Sequence, residues 1–351
     1  MVFELVLPQI RKLVLLGSGR TLAHLVDHGK KRGLEVVAAI SPRHAPEKVR
    51  GEQSLAVFLS DKGVRHHETR NIHDPGSLLA VRELVGSMED GLAISLGAAW
   101  IFKRESIQGL FRGRLVNVHG TRLPRDRGGG GFSWQILRGN RLGYCVIHGI
   151  DEGVDTGPIL DHEEFLYPGT CRVPEDYQEF YLSKNLLFLE RFVDRISSGE
   201  TKLTARVQCE YLSTYNPRLS TDLHGWIDWS WPADEIERFI CAFDRPYAGA
   251  STRWNEQRVR IRTVSVQRND GYFHPYQSGL VYRNNGRWLM VAACGGELLV
   301  EEALDEKGES LLARIQEGDR LETPCGDLEA ARKRIRYGAT GLGPAKAWKP
   351  L

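Results

Sequence analysis

The sequence has little of the chemistry that marks metal or redox proteins. Its six cysteines are scattered through 351 residues, and none forms a Cys-x-x-Cys pair. Zinc sites and dithiol centres usually depend on such pairs, so each cysteine is best explained as a small buried residue in a reducing compartment. No metal site is predicted.

Long apolar runs and a dominant charge are also absent. No apolar run approaches the ~18 residues that a membrane-spanning helix needs, and no signal peptide is evident, so we expect a cytoplasmic location and no membrane partner. The formal net charge is +2, from 47 basic and 45 acidic residues, which provides no overall field for a polyanion. The length and a hydrophobic content of 41% predict two globular domains, each with its own core.

One nucleotide-binding pattern is incomplete. Gly17-Ser-Gly19 follows an apolar strand, but the third glycine of the dinucleotide fingerprint is missing. A tight strand-to-helix turn is the favoured interpretation of this segment.

The first part of the chain alternates apolar strands with helical segments. The pattern predicts strands at 12–17, 36–40, 63–66 and 91–97, and helices at 21–32, 55–62 and 77–85. The run from Gly91 to Gly97 has the small apolar residues typical of a parallel strand that is buried on both faces. This alternation predicts an α/β fold with a Rossmann-like open parallel sheet.

The later part of the chain has a different pattern. A helix is predicted at 180–199, and a second one at 233–243 precedes several short strands separated by Gly and Asn turns. These strands are predicted at 251–254, 259–266, 278–282, 288–292 and 298–302. Many short strands after one helix suggest a small β-barrel.

Three polar residues lie at positions where an open α/β sheet usually carries its catalytic and ligand-binding groups. The strand 115–119 delivers Asn117 and His119 on one side, at the edge where the ligand crevice lies. An amide can donate to a developing oxyanion, and an imidazole can move a proton near neutral pH. Asp155, in a loop between Gly153 and Gly157, could fix the imidazole. Taken alone, Asn117 and His119 could be a polar pair whose hydrogen bonds serve only the structure. Asp155 could likewise be a turn residue that bonds its own backbone.

The order of these residues makes the pattern specific. Along the chain stand Asn117-x-His119-x-Thr121-x-Leu123-Pro124, Arg127-Gly128, Trp134 and Asp155-Thr156-Gly157. The pattern resembles the folate-dependent formyltransferase family, whose matching segment has the form N-x-H-x-S-x-L-P, then R-G, then D-x-G. In the second half, Ile227-Asp228-Trp229 and Pro246-x-x-Gly249-Ala250 also match.

The resemblance implies the domain order and the reaction. It implies a formyltransferase domain at 1–205, a linker at 206–222 and a smaller OB-like β-barrel domain at 223–325, which leaves a tail at 326–351. It also implies that a formyl group passes from N10-formyltetrahydrofolate to a primary amine, with Asn117, His119 and Asp155 at the catalytic positions. The folate contacts that it implies are Leu96, Gly97, Ile101, Phe102 and Gly153.

The departures from the family pattern concern the rim of the site. Thr121 keeps the usual hydroxyl, whereas Arg122 replaces an apolar residue and Gly131 a proline. Three guanidiniums crowd this loop and suit a phosphate of the acceptor or the glutamate of folate. The predicted substrate-binding residues are Thr121, Arg122, Arg125, Arg127 and Trp134.

The acceptor has to be inferred from charge. Recognition of tRNA depends on many phosphate contacts, but the loop 42–53 and the linker 208–228 mix basic with acidic residues. We therefore predict a nucleotide-linked amino sugar as the acceptor and regard nucleic acid as disfavoured. Methionyl-tRNA is the alternative acceptor, and a formyltetrahydrofolate hydrolase or a non-catalytic folate-binding protein is the alternative of another class. The sequence leaves a homodimer open.

Overall fold

The structure is a computed structural model that describes residues 1–267, 273–333, 335–338 and 341–344. By packing, the chain divides into two units. The first comprises residues 1–128, 142–166 and 181–215, and the second comprises residues 129–141, 167–180 and 216–351. The units interleave along the chain, because residues 129–141 and 167–180 pack with the C-terminal part. The domain bounds 1–205 and 223–325 remain a prediction.

The strands of the described residues follow the predicted order, with additional short strands. They are Val2–Val6 (β1), Lys12–Gly17 (β2), Glu35–Ile40 (β3), Lys48–Arg50 (β4), Gln53–Ser54 (β5), Arg65–Glu68 (β6), Gly91–Leu96 (β7), Leu115–His119 (β8), Arg127–Gly128 (β9), Leu142–Gly149 (β10), Ile159–Leu166 (β11), Lys202–Arg206 (β12), Tyr215–Asn216 (β13), Ala250–Trp254 (β14), Gln257–Gln267 (β15), Val281–Asn284 (β16), Leu289–Ala293 (β17), Gly296–Leu304 (β18), Ile335–Gly338 (β19) and Gly341–Pro344 (β20).

The helices also lie close to their predicted positions. The α-helices are Gly19–Lys31 (α1), Leu55–Asp61 (α2), Pro75–Val85 (α3), Gly131–Leu137 (α4), Pro174–Ser197 (α5), Thr221–His224 (α6), Ala233–Ala242 (α7) and Cys325–Arg332 (α8). One π-helical turn occupies Glu105–Leu110, and short 3-10 turns occupy Glu210–Leu212 and Pro275–Gln277. Within the described residues, no helix is long and apolar enough to cross a membrane.

The first unit is built on a nine-stranded sheet. Its order is β1-β12-β11-β10-β8-β7-β2-β3-β6. The strands from β8 to β6 run parallel, which confirms the predicted open parallel sheet, and antiparallel strands extend it beyond β8. Strand β1 was not predicted, since only Leu5 in it is partly buried and the apolar alternation of a core strand is missing.

The core of this unit explains why its central elements form. All six residues of β2 are buried, as are those of β7, so both strands are covered on both faces. Helix α1 buries Leu22, Leu25 and Val26, which recur at helical spacing on the face that packs on the sheet. The sheet edge at the carboxyl ends of β7 and β8 is thereby held on a rigid support.

The second unit contains the predicted small barrel. Its five strands form an antiparallel sheet of order β14-β15-β18-β17-β16. The segment after β18 closes the sheet, because Arg253 of β14 exchanges two backbone hydrogen bonds with Glu322, at 2.7 and 3.0 Å, and Leu321 donates to Gly279 at 2.8 Å. A β-barrel therefore follows the α/β sheet, as the predicted fold class requires.

The predicted tail contains ordered elements. Helix α8 is followed by β19 and β20, which pair antiparallel with Ile335 opposite Pro344. Residues 345–351 of this tail lie outside the described residues.

Candidate active site

Strand β8 delivers the predicted pair to the edge of the sheet. It pairs in parallel with β7 and antiparallel with β10, so it lies inside the sheet. Leu115 and Val116 are buried and anchor the strand, whereas Asn117 and His119 at its end are partly exposed. The alternation of a strand places both of these side chains on the same side.

The hydrogen bonds of His119 define its tautomer. Its Nε2 atom lies 2.9 Å from the carbonyl oxygen of Asp126 and 2.7 Å from Oγ1 of Thr121. Since the carbonyl can only accept, Nε2 carries the proton and donates it. Nδ1 is then the basic nitrogen, and it lies 3.8 Å from Oδ1 of Asp155. Thr121 thus has a definite role, since its hydroxyl accepts from His119 and donates to the same carbonyl at 2.7 Å.

Asp155 is held in an unusual backbone conformation. Its φ is +55°, in the left-handed region. The N–H of Gly128 donates to its Oδ2 at 2.8 Å, and the amide of Gln208 donates to the carbonyls of Asp155 and Gly157 at 2.8 and 2.7 Å. A Cβ at Gly157 would lie 1.9 Å from the carbonyl oxygen of Gly149, so the loop requires glycine there. These contacts fix the carboxylate beside the imidazole.

Burial and charge set the protonation states of the pair. Burial lowers the pKa of His119, and this outweighs the opposing effect of the Asp155 carboxylate. Burial alone would raise the pKa of Asp155, but His148, His119 and the Gly128 amide together lower it to about 2. At neutral pH the site therefore holds a neutral imidazole beside an ionised carboxylate.

His148 is a fourth member that the sequence interpretation missed. It lies opposite Asn117 in the β8–β10 register and is 2% exposed. Its Nε2 atom lies 3.2 Å from Nδ2 of Asn117 and 3.6 Å from Oδ1 of Asp155. Its position at the end of the buried strand β10 was the available signal, because the rule that selected Asn117 and His119 applies to it equally.

The three arginines of the loop after β8 differ in exposure and in hydrogen bonding. Arg122 and Arg125 are exposed, and the Arg122 guanidinium lies 5.8 Å from the ring centre of Tyr144. Arg127 is different, because it is 5% exposed and donates to Gln208 at 3.1 Å and to Glu210 at 2.8 Å. Arg127 thereby supports the Gln208 side chain that holds the Asp155 loop, and its contact with substrate remains a prediction.

The predicted substrate contact Trp134 belongs to the second unit. Its indole N–H donates to the carbonyl of Pro217 at 2.9 Å, and the Arg138 guanidinium lies 5.6 Å from its ring centre. Its contact with substrate remains a prediction.

The predicted folate residues occupy two places in the first unit. Leu96 ends β7 beside the Gly17 turn, where a Cβ on Gly17 would lie 2.4 Å from the Leu96 carbonyl oxygen. Gly97 follows with φ +68°. Phe102 is 6% exposed and its ring packs on Phe111 at 6.2 Å, so its side chain is committed to the core.

The remaining two predicted folate residues offer exposed groups. Ile101 is 72% exposed, and its carbonyl accepts from His73 at 2.9 Å. Gly153 lines a cavity of about 430 Å³ together with Arg104, Ile107 and Ile150. This cavity adjoins the loop that carries Asp155. Among the described residues, no group of three or more His, Cys, Asp or Glu side chains could hold a metal ion.

Comparisons with known proteins identify the family. The family model described as formyl transferase matches residues 11–167, and the one described as formyl transferase, C-terminal domain, matches residues 220–315. The methionyl-tRNA formyltransferase of Geobacter metallireducens is 26% identical over 310 residues, which cover 86% of this chain and 92% of that protein. The protein of the same name from Marinobacter nauticus is 30% identical over 219 residues, which cover 61% and 67%.

Solved structures share the fold. An N-formyltransferase from Helicobacter canadensis, in complex with folinic acid and dTDP-3-aminofucose, has a TM-score of 0.64 at 18% identity and covers 83% of this chain and 99% of its own. HypX from Aquifex aeolicus, in complex with tetrahydrofolic acid, has a TM-score of 0.54 at 17% identity, with coverage of 86% and 45%. Together with the sequence matches to both halves, these findings show that the chain belongs to the formyl transferase family.

Proposed function

We propose that the protein transfers a formyl group from N10-formyltetrahydrofolate to the primary amine of a nucleotide-linked amino sugar. The observation that carries the proposal is the arrangement of Asn117, neutral His119 and ionised Asp155 beside the exposed guanidiniums of Arg122 and Arg125. Among the described residues, neither arginine has a carboxylate within 4.0 Å.

The folate is assigned to the first unit. The cavity at Gly153 combines the apolar side chains of Ile107 and Ile150 with the charged groups of Arg104 and Asp151, which suits a planar heterocycle with polar edges. A Cβ at Gly153 would lie 2.1 Å from Oγ1 of Thr156, so the loop beside this cavity requires glycine there. The folate supplies the activated formyl group when it is bound. Side chains of the protein stabilise the developing charge and transfer the proton.

Asn117 is assigned to the developing oxyanion. One of its two amide N–H groups faces His148, which leaves the second free to donate to a substrate oxygen. The donor is neutral and fixed in place, so it costs little reorganisation when charge develops. No covalent intermediate with the protein is required.

His119 and Asp155 are assigned to proton transfer. The amine has to attack in its neutral form and loses a proton as the new C–N bond forms. The bond between the formyl carbon and N10 of the folate then breaks, and the proton taken by His119 would pass to N10 so that tetrahydrofolate leaves neutral at that nitrogen. Nδ1 of His119 is unprotonated at rest and can take that proton, and the Asp155 carboxylate at 3.8 Å stabilises the resulting imidazolium. The protonated His119 then adds to the stabilisation of the oxyanion.

The choice of a sugar nucleotide rests on which cations are already paired. In the loop that follows β3, Lys48 pairs with Glu52 and Arg50 pairs with Asp27, so these cations are neutralised within the protein. In the loop that follows β8, the guanidiniums of Arg122 and Arg125 have no carboxylate partner among the described residues, and they suit the diphosphate of a small acceptor. The Helicobacter canadensis structure, which contains a nucleotide-linked amino sugar, shares this fold and is consistent with the proposal.

Methionyl-tRNA is the second candidate acceptor. It is favoured by the names of the two sequence relatives described above, which are 26% and 30% identical. Because phosphate contacts dominate RNA binding, an enzyme for tRNA should show activity that falls steeply with salt.

The deciding experiment measures tetrahydrofolate release from N10-formyltetrahydrofolate. It is run without acceptor, with a panel of nucleotide-linked amino sugars, and with charged methionyl-tRNA. We expect release with one amino sugar only. Release with tRNA alone would replace the proposed acceptor, and formate release without any amine would indicate a hydrolase.

A further inference from the structure

Gln208 lies beside the loop 153–157 that carries Asp155, although the two are some fifty residues apart in the sequence. It follows the end of β12 by two residues, in the segment that the sequence predicts as a linker. Strands β11 and β12 pair antiparallel, with Ile159 opposite Arg206. Continued by two residues in each direction, this register places Gln208 opposite Gly157. Beyond the Ile159 pair, it is the Gln208 side chain that contacts the loop.

Both ends of the Gln208 amide are engaged in hydrogen bonds. Its Nε2 atom donates to the carbonyl oxygen of Asp155 at 2.8 Å and to that of Gly157 at 2.7 Å. Its Oε1 atom accepts from Nε of Arg127 at 3.1 Å. An amide nitrogen carries two N–H groups, so this one side chain satisfies both carbonyls. Gln208 is 9% exposed, and a buried carbonyl needs such a donor because little water reaches it.

Arg127 determines which end of the Gln208 amide faces the loop. A guanidinium can only donate, so the amide atom next to it has to be Oε1, and Nε2 is thereby turned toward the carbonyls. The guanidinium is held in turn by Glu210, whose two carboxylate oxygens accept from it at 2.8 and 3.1 Å. The backbone N–H of Arg127 also donates to the carbonyl of Thr214 at 3.0 Å. Arg127 is therefore fixed at both its main chain and its side chain.

The backbone that Gln208 holds also directs the Asp155 carboxylate. Asp155 has a φ of +55°, which an L-residue keeps only where surrounding contacts hold it. Gly128 donates to the carboxylate at 2.8 Å, and Gln208 donates to the carbonyl of the same residue. The direction of a side chain follows from its backbone torsions. Loss of the contact at the carbonyl should therefore move the carboxylate relative to Nδ1 of His119, which lies 3.8 Å from it.

We propose that Gln208 is a positioning residue for Asp155 and that it affects the reaction only through the pair of Asp155 and His119. The inference rests on the proposed function, in which the Asp155 carboxylate stabilises the imidazolium of His119. The part of Gln208 is to hold the loop rather than to contact a substrate. An amide is required at this position, because a carboxylate would turn an oxygen toward two carbonyl oxygens.

Steady-state kinetics with a double-mutant cycle test the proposal. Gln208→Leu removes both donors at similar volume, and Gln208→Glu keeps the shape but removes the N–H groups. We expect each to lower kcat on the order of tenfold or more, with little change in KM for the folate. In Asp155→Asn, which has already lost the carboxylate, Gln208→Leu should lower kcat no further. Gln9→Leu is the matched control, because the Gln9 amide donates to the Ser197 carbonyl at 3.0 Å, and it should leave kcat unchanged.

The pKa of His119 provides a second measurement, which needs neither folate nor acceptor. The Asp155 carboxylate raises this pKa, so its displacement in Gln208→Leu should lower the pKa of His119 toward the value in Asp155→Asn. Gln9→Leu should leave it unchanged. Histidine-ring NMR measures the pKa, and the ring signal of His28, which pairs with Asp194 at 2.7 Å, shows whether each variant is folded.

The possible outcomes separate this inference from the proposed function. A wild-type kcat and an unchanged His119 pKa in folded Gln208→Leu would overturn the inference. A full further loss of kcat when Gln208→Leu is added to Asp155→Asn would also overturn it, because Gln208 would then act by another route. Normal turnover in Asp155→Asn would contradict the proposed function instead, and the His119 pKa in Gln208→Leu would still report whether Gln208 positions the carboxylate.

Discussion

Nδ2 of Asn117 lies 3.2 Å from Nε2 of His148, across two antiparallel strands. Nδ1 of His148 lies 2.7 Å from the carbonyl oxygen of Gly149, which can only accept, so Nδ1 carries a proton, and in the neutral ring Nε2 accepts from the Asn117 amide. His148 therefore determines which end of the Asn117 amide is turned toward the site. It acts as a positioning residue for the proposed oxyanion donor.

Replacement of His148 should lower turnover more than binding. His148→Phe removes the acceptor for the Asn117 amide, and the misplaced donor should lower kcat on the order of a hundredfold. KM for the folate should change little, and His148→Gln, which restores an acceptor oxygen, should recover part of kcat. Steady-state kinetics with the identified acceptor measure both constants. A kcat close to wild type in His148→Phe would show that the amide needs no such support.

Loss of the oxyanion donor itself should be at least as severe. Asn117→Ala should lower kcat on the order of a hundredfold or more while folate binding is retained, because the amide acts only as charge develops. Binding is measured by calorimetry and turnover by tetrahydrofolate release. The assignment of Asn117 is wrong if turnover stays near normal.

The pH dependence of the rate should report His119. Its pKa is lowered by burial, so neutral His119 persists below the usual range, and the acid limb of kcat/KM should lie below pH ~6.5. The Asp155 carboxylate raises the pKa of His119, so Asp155→Asn should lower that pKa further. Histidine-ring NMR, with His119→Ala for assignment, measures the shift. A His119 pKa that rises in Asp155→Asn would contradict the proposed pairing.

The acceptor subsite can be tested with arginines that differ in pairing. Arg122→Ser and Arg125→Ser should each raise KM for the sugar nucleotide about tenfold, because each removes a free cation beside the catalytic set. Arg50→Ser is the matched control, since Arg50 is an exposed arginine already paired with Asp27, and it should leave KM unchanged. If all three variants behave alike, the phosphate subsite is elsewhere.

Glycine 157 should tolerate no side chain. A Cβ there would lie 1.9 Å from the Gly149 carbonyl oxygen, so Gly157→Ala has to displace the backbone that positions Asp155. We expect a loss of about 2–4 kcal/mol of unfolding free energy. Gly76→Ala in α3 is the control, because nothing lies within 4 Å of its Cβ position and alanine favours the helix. Urea unfolding measures both, and equal stabilities would refute the close contact.

The sequence predicted those parts of the site that are local in the chain. Asn117 and His119 follow directly from the strand 115–119, and the observed strand has those bounds. His148 was missed because its partnership with Asn117 depends on the register between β8 and β10, which no local pattern encodes. The contacts of Arg127 were not predicted, because its partners Gln208 and Glu210 stand some eighty residues later.

The fold, like the site, was predictable only where it depends on patterns that are local in the sequence. Alternating strands and helices gave the parallel sheet, because each of its elements buries a face that is visible in the local pattern. The interleaved units were not predicted, since the packing of residues 129–141 and 167–180 with the C-terminal part depends on contacts distant in sequence. Strand β1 escaped notice because its residues are largely exposed and its pairing partner β12 is two hundred residues away.

The left-handed backbone at Asp155 has a consequence for engineering. Any L-residue pays on the order of 1 kcal/mol to adopt φ +55°, and glycine does not. Selection for heat resistance alone would therefore tend to exchange Asp155 for glycine and so discard the carboxylate. Thermostability screens of this protein should retain an activity filter, because one of the backbone positions that glycine would relax carries a proposed catalytic residue.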